Sequence, residues 1–367
     1  MTTSTNQGKN DPSFRDLRTI IFNMPKIDLH RHLEGSLRLT TLSEIARQNG
    51  VDLPSWEPEE LRPYVQVVDE PPDFHGFLNK FKLLRRFYSS REAVIRVAYE
   101  AIADAAEDNI RYLELRFNPV ALALNQGFSF EEVTDWVILA TNKAEADYPI
   151  QVRLIVTMNR MEPQYAQELA EIAAAKQDQG IVAIDIAGDE INGSINEFID
   201  VFYWAKKQGL YITAHAAEAG PPQNVKDALE KLDADRIGHG VRSQEDLSVI
   251  DLIRQHRVAL EMCPTSNLQT AIIPKLNQHP LYAFYQLGIP VTINTDDPSI
   301  SNTTLTDEFL VATRGAGVPF RVLPQLVLNA ANAAFLPQPE KGRLVEWFEQ
   351  ALKKSLAGVP KTTECTD

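Results

Sequence analysis

Cysteine is almost absent from this chain: only Cys263 and Cys365 occur in 367 residues. That excludes a disulfide framework and any metal site built from clustered thiolates, including centres of the P-C-x-x-C type. A bound metal would have to be held by histidines and carboxylates. Basic runs are also missing. Thirty-six Lys plus Arg against 50 Asp plus Glu give a net charge of -14, which repels a polyanion, so long nucleic acid is not an expected partner. A small neutral substrate is not repelled. No apolar run approaches the roughly 18 residues of a membrane span. Met1 to Asp11 is polar and lacks the charged-then-apolar pattern of a secretory signal, so neither a membrane nor export is expected and the chain reads as cytoplasmic. No G-x-G-x-x-G or P-loop motif appears, which removes the best support for a nucleotide-cofactor fold.

What is present is alternation. Apolar, β-branched runs are separated by amphipathic segments of helical length, the pattern of a parallel sheet. The candidate strands are Lys26 to His32, Arg111 to Phe117, Gln151 to Met158, Ile181 to Gly188, Tyr211 to Glu218, Arg236 to Gly240, Val258 to Pro264 and Pro290 to Pro298. Eight such units predict an α/β fold closed as a (β/α)8 barrel. Residues 1–20 read as a polar tail, 21–358 as one domain and 359–367 as a flexible tail. Residues 34–110 are too long for one crossover and read as a helical insertion, a candidate lid. Within it, Leu39 to Asn49 reads as a helix, followed by a Pro-rich connection and two further helical patterns. Leu305 to Arg314, Arg321 to Phe335 and Gly342 to Leu356 read as extra C-terminal helices.

The first chemical signal is His30 and His32. Residues two apart on a strand face the same way, so both imidazoles can point into the barrel mouth. Other polar groups fall at other strand ends, where barrel active sites lie: His215 with Glu218, His239, and the Asp296-Asp297 pair. Four of the seven histidines sit at such ends. Together they supply neutral nitrogens and a carboxylate, a set suited to zinc with a position left open for water. Strand four ends Ala187-Gly188-Asp189 without a bridging Lys, which favours one metal over two. His75, His256 and His279 read as solvent-facing or packing residues.

In this order, Pro-Lys-Ile-Asp-Leu-His-Arg-His-Leu-Glu-Gly-Ser, Asp-Ile-Ala-Gly-Asp-Glu, His-Ala-Ala-Glu-Ala-Gly, Arg-Ile-Gly-His-Gly-Val, Cys-Pro-Thr-Ser-Asn and Asn-Thr-Asp-Asp-Pro resemble the adenosine deaminase family, from about Met24 to Trp347. The resemblance implies one zinc ion bound by His30, His32, His215 and Asp296. It implies that Glu218 protonates a purine ring nitrogen and that His239 orients the water. By the same likeness Asp297 and the backbone N–H of Gly188 would meet nitrogens of the base. Phe74, Phe77, Leu78 and Phe81, a stripe at helical spacing that by itself reads as core, resemble the helix lining the ribose side of the pocket.

The expected reaction is therefore hydrolytic deamination of a purine nucleoside, adenosine or 2′-deoxyadenosine, in purine salvage. Two positions depart from the family pattern. Glu34 stands where Asp is common beside the sugar 5′-hydroxyl, which leaves adenine or a 5′-modified adenosine such as aminofutalosine as alternatives. Ala217 replaces a common Gly before Glu218. From other classes come a catalytically silent barrel that only binds, and a phosphotriesterase-like hydrolase, against which the missing strand-four Lys argues.

Overall fold

The computed structural model describes residues 12–357 and 359. Eight strands form one sheet in sequential order, every neighbouring pair parallel. They are β1 (Lys26–His32), β2 (Ile110–Phe117), β3 (Gln151–Asn159), β4 (Ile181–Ala187), β5 (Tyr211–Ala216), β6 (Arg236–His239), β7 (Ala259–Met262) and β8 (Val291–Ile293). The strands are buried along nearly their whole length, as expected of a parallel sheet covered by helices. The two edges meet where His32 N donates to the Asp296 carbonyl and Asp296 N to the His30 carbonyl, both at 2.8 Å. The architecture is the (β/α)8 barrel that the alternation predicts.

Charged side chains fill much of the barrel interior. Arg116 pairs with Asp185 (3.2 Å) and Glu261 (2.7 Å), and Arg236 with Glu261 (2.5 Å) and Glu114. Removing one partner of such a buried set leaves an uncompensated charge and typically costs 3–5 kcal/mol. The network lies under the barrel mouth and reaches two of the candidate histidines.

Residues 12–20, read as tail, instead belong to helix α1 (Pro12–Asn23). Their polar composition conceals a narrow apolar stripe: Leu17 and Ile21 are buried, and Arg18 Nη2 meets Asp307 Oδ1 at 3.2 Å. One stripe is enough when the opposing helix, Leu305–Arg314, is already fixed to the barrel. Residues 1–11 lie outside the described residues, as does the C-terminal tail apart from Val359.

The insertion contains α2 (Leu39–Asn49), α3 (Pro58–Val65), α4 (Phe74–Leu84) and α5 (Arg91–Glu107). The Pro-rich connection is thus partly helical, because Pro58 occupies the first turn, where its missing N–H is not needed. α5 leads directly into β2 as its crossover helix, so the added structure is α2 to α4. Asp73 caps α4 by accepting from Gly76 N. Past β8, the helices Leu305–Arg314, Leu323–Ala333 and Gln338–Ser355 complete the fold. Among the described residues no helix is long and apolar enough to cross a membrane.

Candidate metal centre and substrate pocket

The site stands at the C-terminal ends of the strands, and the backbone there is bent to aim side chains inward. Ala217, His239 and Asp296 have φ of 49°, 60° and 63°, the left-handed region that costs a non-glycine residue about 1–2 kcal/mol. Each ends or follows a strand of the ladder.

His30 Nδ1 donates to Glu261 Oε2 (2.7 Å), and His215 Nδ1 to Asp185 Oδ1 (3.1 Å). A carboxylate behind Nδ1 fixes the tautomer and turns the Nε2 lone pair toward the centre. Arg116 and the two histidines overcome the effect of burial on both acids and hold Asp185 and Glu261 below the usual carboxylate range. His30 Nε2 is buried without a hydrogen-bond partner, 3.3 Å from Asp296 Oδ1. His32 Nε2 lies 3.2 Å from His215 Nε2 and 3.4 Å from Asp296 Oδ1. Ser266 Oγ donates to Asp296 Oδ2 (2.7 Å), which leaves Oδ1 to the histidines. With their protons held on Nδ1, His30 and His215 both turn Nε2 lone pairs to this cluster, and lone pairs crowded beside a carboxylate oxygen repel unless a cation lies among them. The donor set therefore fits a divalent metal.

His239 approaches the same centre, and its ligand atom lies within 4.8 Å of those of His30, His215 and Asp296. Its hydrogen bonding is reversed, however. The Leu281 backbone N–H can only donate, and it does so to His279 Nδ1 (3.2 Å). His279 then carries its proton on Nε2 and donates to Asn267 Oδ1 (3.2 Å). Asn267 Nδ2 donates to His239 Nδ1 (3.1 Å), so the His239 proton sits on Nε2, 3.7 Å from Glu218 Oε2 and 4.0 Å from Asp296 Oδ2. Burial pushes His279 down to about 3 and His239 well below the usual imidazole value, so both rings are neutral. His239 thus offers an N–H to the centre, and His30 and His215 offer lone pairs.

Above the centre opens a cleft. Every candidate residue except His30 lines it; His30 lies beneath, fully buried. α4 supplies one wall through Phe74, Phe77, Leu78 and Phe81, a face turned to the cleft and not only to the core. His75 Nε2, on the same helix, meets Asp189 Oδ2 at 3.1 Å across the mouth. Gly188 has φ +96°, and a Cβ there would stand 2.6 Å from Asn159 Oδ1, so only glycine fits and its backbone stays open to the cleft. Glu34 is buried, accepts from Asn118 N at 2.5 Å and is pushed by burial up to about 7.

The adenosine deaminase family profile matches residues 25–351. An adenosine deaminase of Klebsiella pneumoniae is 36% identical over 326 residues, 88% of this chain and 97% of its own length. The chain belongs to the adenosine deaminase family. It is a deaminase, a hydrolase acting on C–N bonds. Among solved structures, the adenine deaminase of Arthrobacter aurescens superposes with TM-score 0.82 at 26% identity, covering 90% of this chain and 99% of that one. The N6-methyl-AMP deaminase of Arabidopsis thaliana superposes with TM-score 0.80 at 28% identity, covering 92% and 99%.

Against this family background two acids of the cleft stand out. Burial, with Asp296 and Glu190 nearby, pushes the Glu218 carboxyl well above its usual range. Burial, then Asp296 and Glu34, does the same to Asp297, whose Oδ1 has no hydrogen-bond partner. Asp296 itself stays well below the usual range because the imidazoles of His30, His239 and His32 around it outweigh burial. Two carboxyls raised by burial thus flank one that is held low. Sequence reasoning missed the residues behind these: Asp185, Glu261, Ser266, Asn267, Glu190 and His279. A signal existed for two of them, since Asp185 and Glu261 are lone charges inside apolar strands and must be paired.

Proposed function

We propose that this deaminase converts adenosine, and 2′-deoxyadenosine, to the inosine products and ammonia with one zinc ion. In this reading His30, His32, His215 and Asp296 hold the ion, which when bound lowers the pKa of water toward about 7. His239 is kept out of the ligand set by its proton on Nε2 and instead fixes the attacking water. Glu218 gives its proton to the ring nitrogen next to the amine-bearing carbon as water adds to that carbon. As water adds, one of its protons returns to Glu218; the second, on the new hydroxyl, passes to the amine, so that the C–N bond breaks, ammonia leaves and the carbonyl forms with Glu218 protonated again. Asp297 and the Gly188 N–H orient the base through its other nitrogens.

The observation that carries this reading is the juxtaposition, in one cleft, of imidazole lone pairs with a buried Glu218 whose carboxyl burial pushes well above its usual range. The aromatic wall of α4 supports a nucleoside over the free base, because it lines the same cleft and resembles the helix on the ribose side of the family's pocket. Glu34 favours a second reading, adenine or a 5′-altered adenosine, since its carboxyl occupies the end where the sugar terminus would lie. Glu218→Gln tests the mechanism: zinc content stays stoichiometric while turnover falls by about 10²–10⁴. Retained turnover, or zinc lost with the acid, would contradict it.

A further inference from the structure

Glu218 is carried by the segment Ala217 to Gly220, which leaves β5 and belongs to no regular element. The carbonyls of this segment, and of Ala216 that ends β5, are held from one side: Ala216 O by Gly240 N (3.1 Å), Ala217 O by Arg242 N (2.8 Å) and Ala219 O by Arg242 Nη1 (2.6 Å). The segment's N–H groups turn to the other side and converge on one buried side chain. Glu190 Oε1 accepts from Ala217 N (2.6 Å) and Asn224 Nδ2 (2.8 Å). Its Oε2 accepts from Glu218 N (2.9 Å) and Gly220 N (2.8 Å). Buried N–H groups outside a ladder need such an acceptor. The space for it is built in, since a Cβ on Gly220 would collide with Asn224 Nδ2 and stand 2.7 Å from Glu190 Cδ. Behind this cradle Arg160 Nη2 donates to the His215 carbonyl, bracing the start of the same segment.

We propose that Glu190 is a positioning residue for Glu218: its carboxylate gathers the N–H groups of the acid's own loop and so sets where the acid's side chain begins. The inference rests on the reading of Glu218 as the proton donor. Ala217 shows what the clamp does. At φ 49° it occupies a conformation that favours glycine, and its N–H bond to Glu190 is what offsets that preference. A glutamine at 190 has only one acceptor oxygen for these donors. Asn224 can turn its own oxygen to the new NH2 group, but Ala217 N cannot, so Ala217 is the residue released. As it relaxes, it takes Glu218 out of line with the substrate ring.

The test is kinetic, on the metal-loaded full chain. Glu190→Gln is expected to lower kcat roughly 10²-fold, the order of loss that an ångström of misplacement brings. KM, and the affinity for an adenosine analogue with CH in place of ring nitrogen N1, should stay within about threefold, because neither depends on the proton transfer. Metal content should be unchanged. Gly220→Ala, which crowds the carboxylate and its Asn224 partner without removing the charge, should reproduce the kcat loss. Placing Ala217→Gly in the Glu190→Gln background should restore roughly tenfold, the population ratio associated with the left-handed preference. Four results overturn the proposal: kcat within about threefold of the parent, a kcat loss that follows metal loss, no recovery with Gly at 217, or failure of both Glu190→Gln and Gly220→Ala to fold. Glu218→Gln run alongside separates the two ideas, since full turnover in that variant sinks the role of Glu218 and leaves the geometry of the clamp intact.

Discussion

The hydrogen-bond relay behind His239 gives an isosteric perturbation with a calculable direction. Asn267→Asp keeps the shape of the side chain but replaces its one donor by an acceptor. His279 Nε2 still donates to it, because the Leu281 N–H still fixes that ring. His239 Nδ1 must now donate as well, where before it accepted at 3.1 Å. Burial disfavours adding a proton to this ring, so the proton moves from Nε2 to Nδ1. A lone pair then faces Glu218 Oε2 at 3.7 Å and Asp296 Oδ2 at 4.0 Å, and the donor that orients the water is gone. Loss of a positioned proton donor is worth about 10²–10⁴ in rate, or about 3–5 kcal/mol of barrier. Steady-state kinetics give the rate, and nitrogen-15 chemical shifts of the His239 ring report which nitrogen is protonated. Turnover within about threefold of the parent, with the tautomer switched, would refute the role given to His239.

Two further predictions follow from buried groups. Burial pushes Glu308 up to about 7 from an ordinary value of 4.5. The folded state therefore binds more protons than the unfolded state between those values, and stability falls as pH rises through that window, by about 3 kcal/mol in total. Glu308→Gln lacks this slope, so urea melts of variant and parent should diverge above pH 4.5 and run parallel above about 7; profiles parallel throughout would contradict the assignment. Gly188→Ala should lower stability by about 1–3 kcal/mol and raise KM more than it lowers kcat, since it strains a left-handed position against Asn159 at the edge of the cleft. An unaltered melting temperature would show that the turn relaxes freely.

Much of this site was legible because barrel geometry converts strand ends into one location. Once the eight apolar runs are recognised, His30, His215, His239 and Asp296 must lie near one another whatever their separation in sequence. The reading overran where the backbone turns. β5 reads to Glu218 but leaves the ladder at Ala216, because Ala217 adopts φ 49°; β8 reads to Pro298 but ends at Ile293, ahead of the left-handed Asp296. Apolar patterning continues through such turns, so it does not mark them. In sequence His279 reads only as a packing or surface residue, because its partner Asn267 lies on another element and hydrogen-bond polarity is set by three-dimensional contact. The N-terminal helix was hidden for a related reason: Leu17 and Ile21 form too narrow a stripe to show periodicity alone, and Leu305–Arg314 supplies the other half of their burial.

The distinction between a nucleoside and its relatives falls at Glu34 and the α4 wall, away from the reacting carbon. Ammonia release by zinc-replete protein, measured side by side on adenosine, 2′-deoxyadenosine, adenine and a 5′-substituted adenosine, tests the central claim most directly. The account predicts the highest kcat/KM on adenosine, with deoxyadenosine close behind. Turnover confined to adenine or to the 5′-substituted compound would contradict the substrate assignment, and no ammonia from any of them would contradict the proposed chemistry itself.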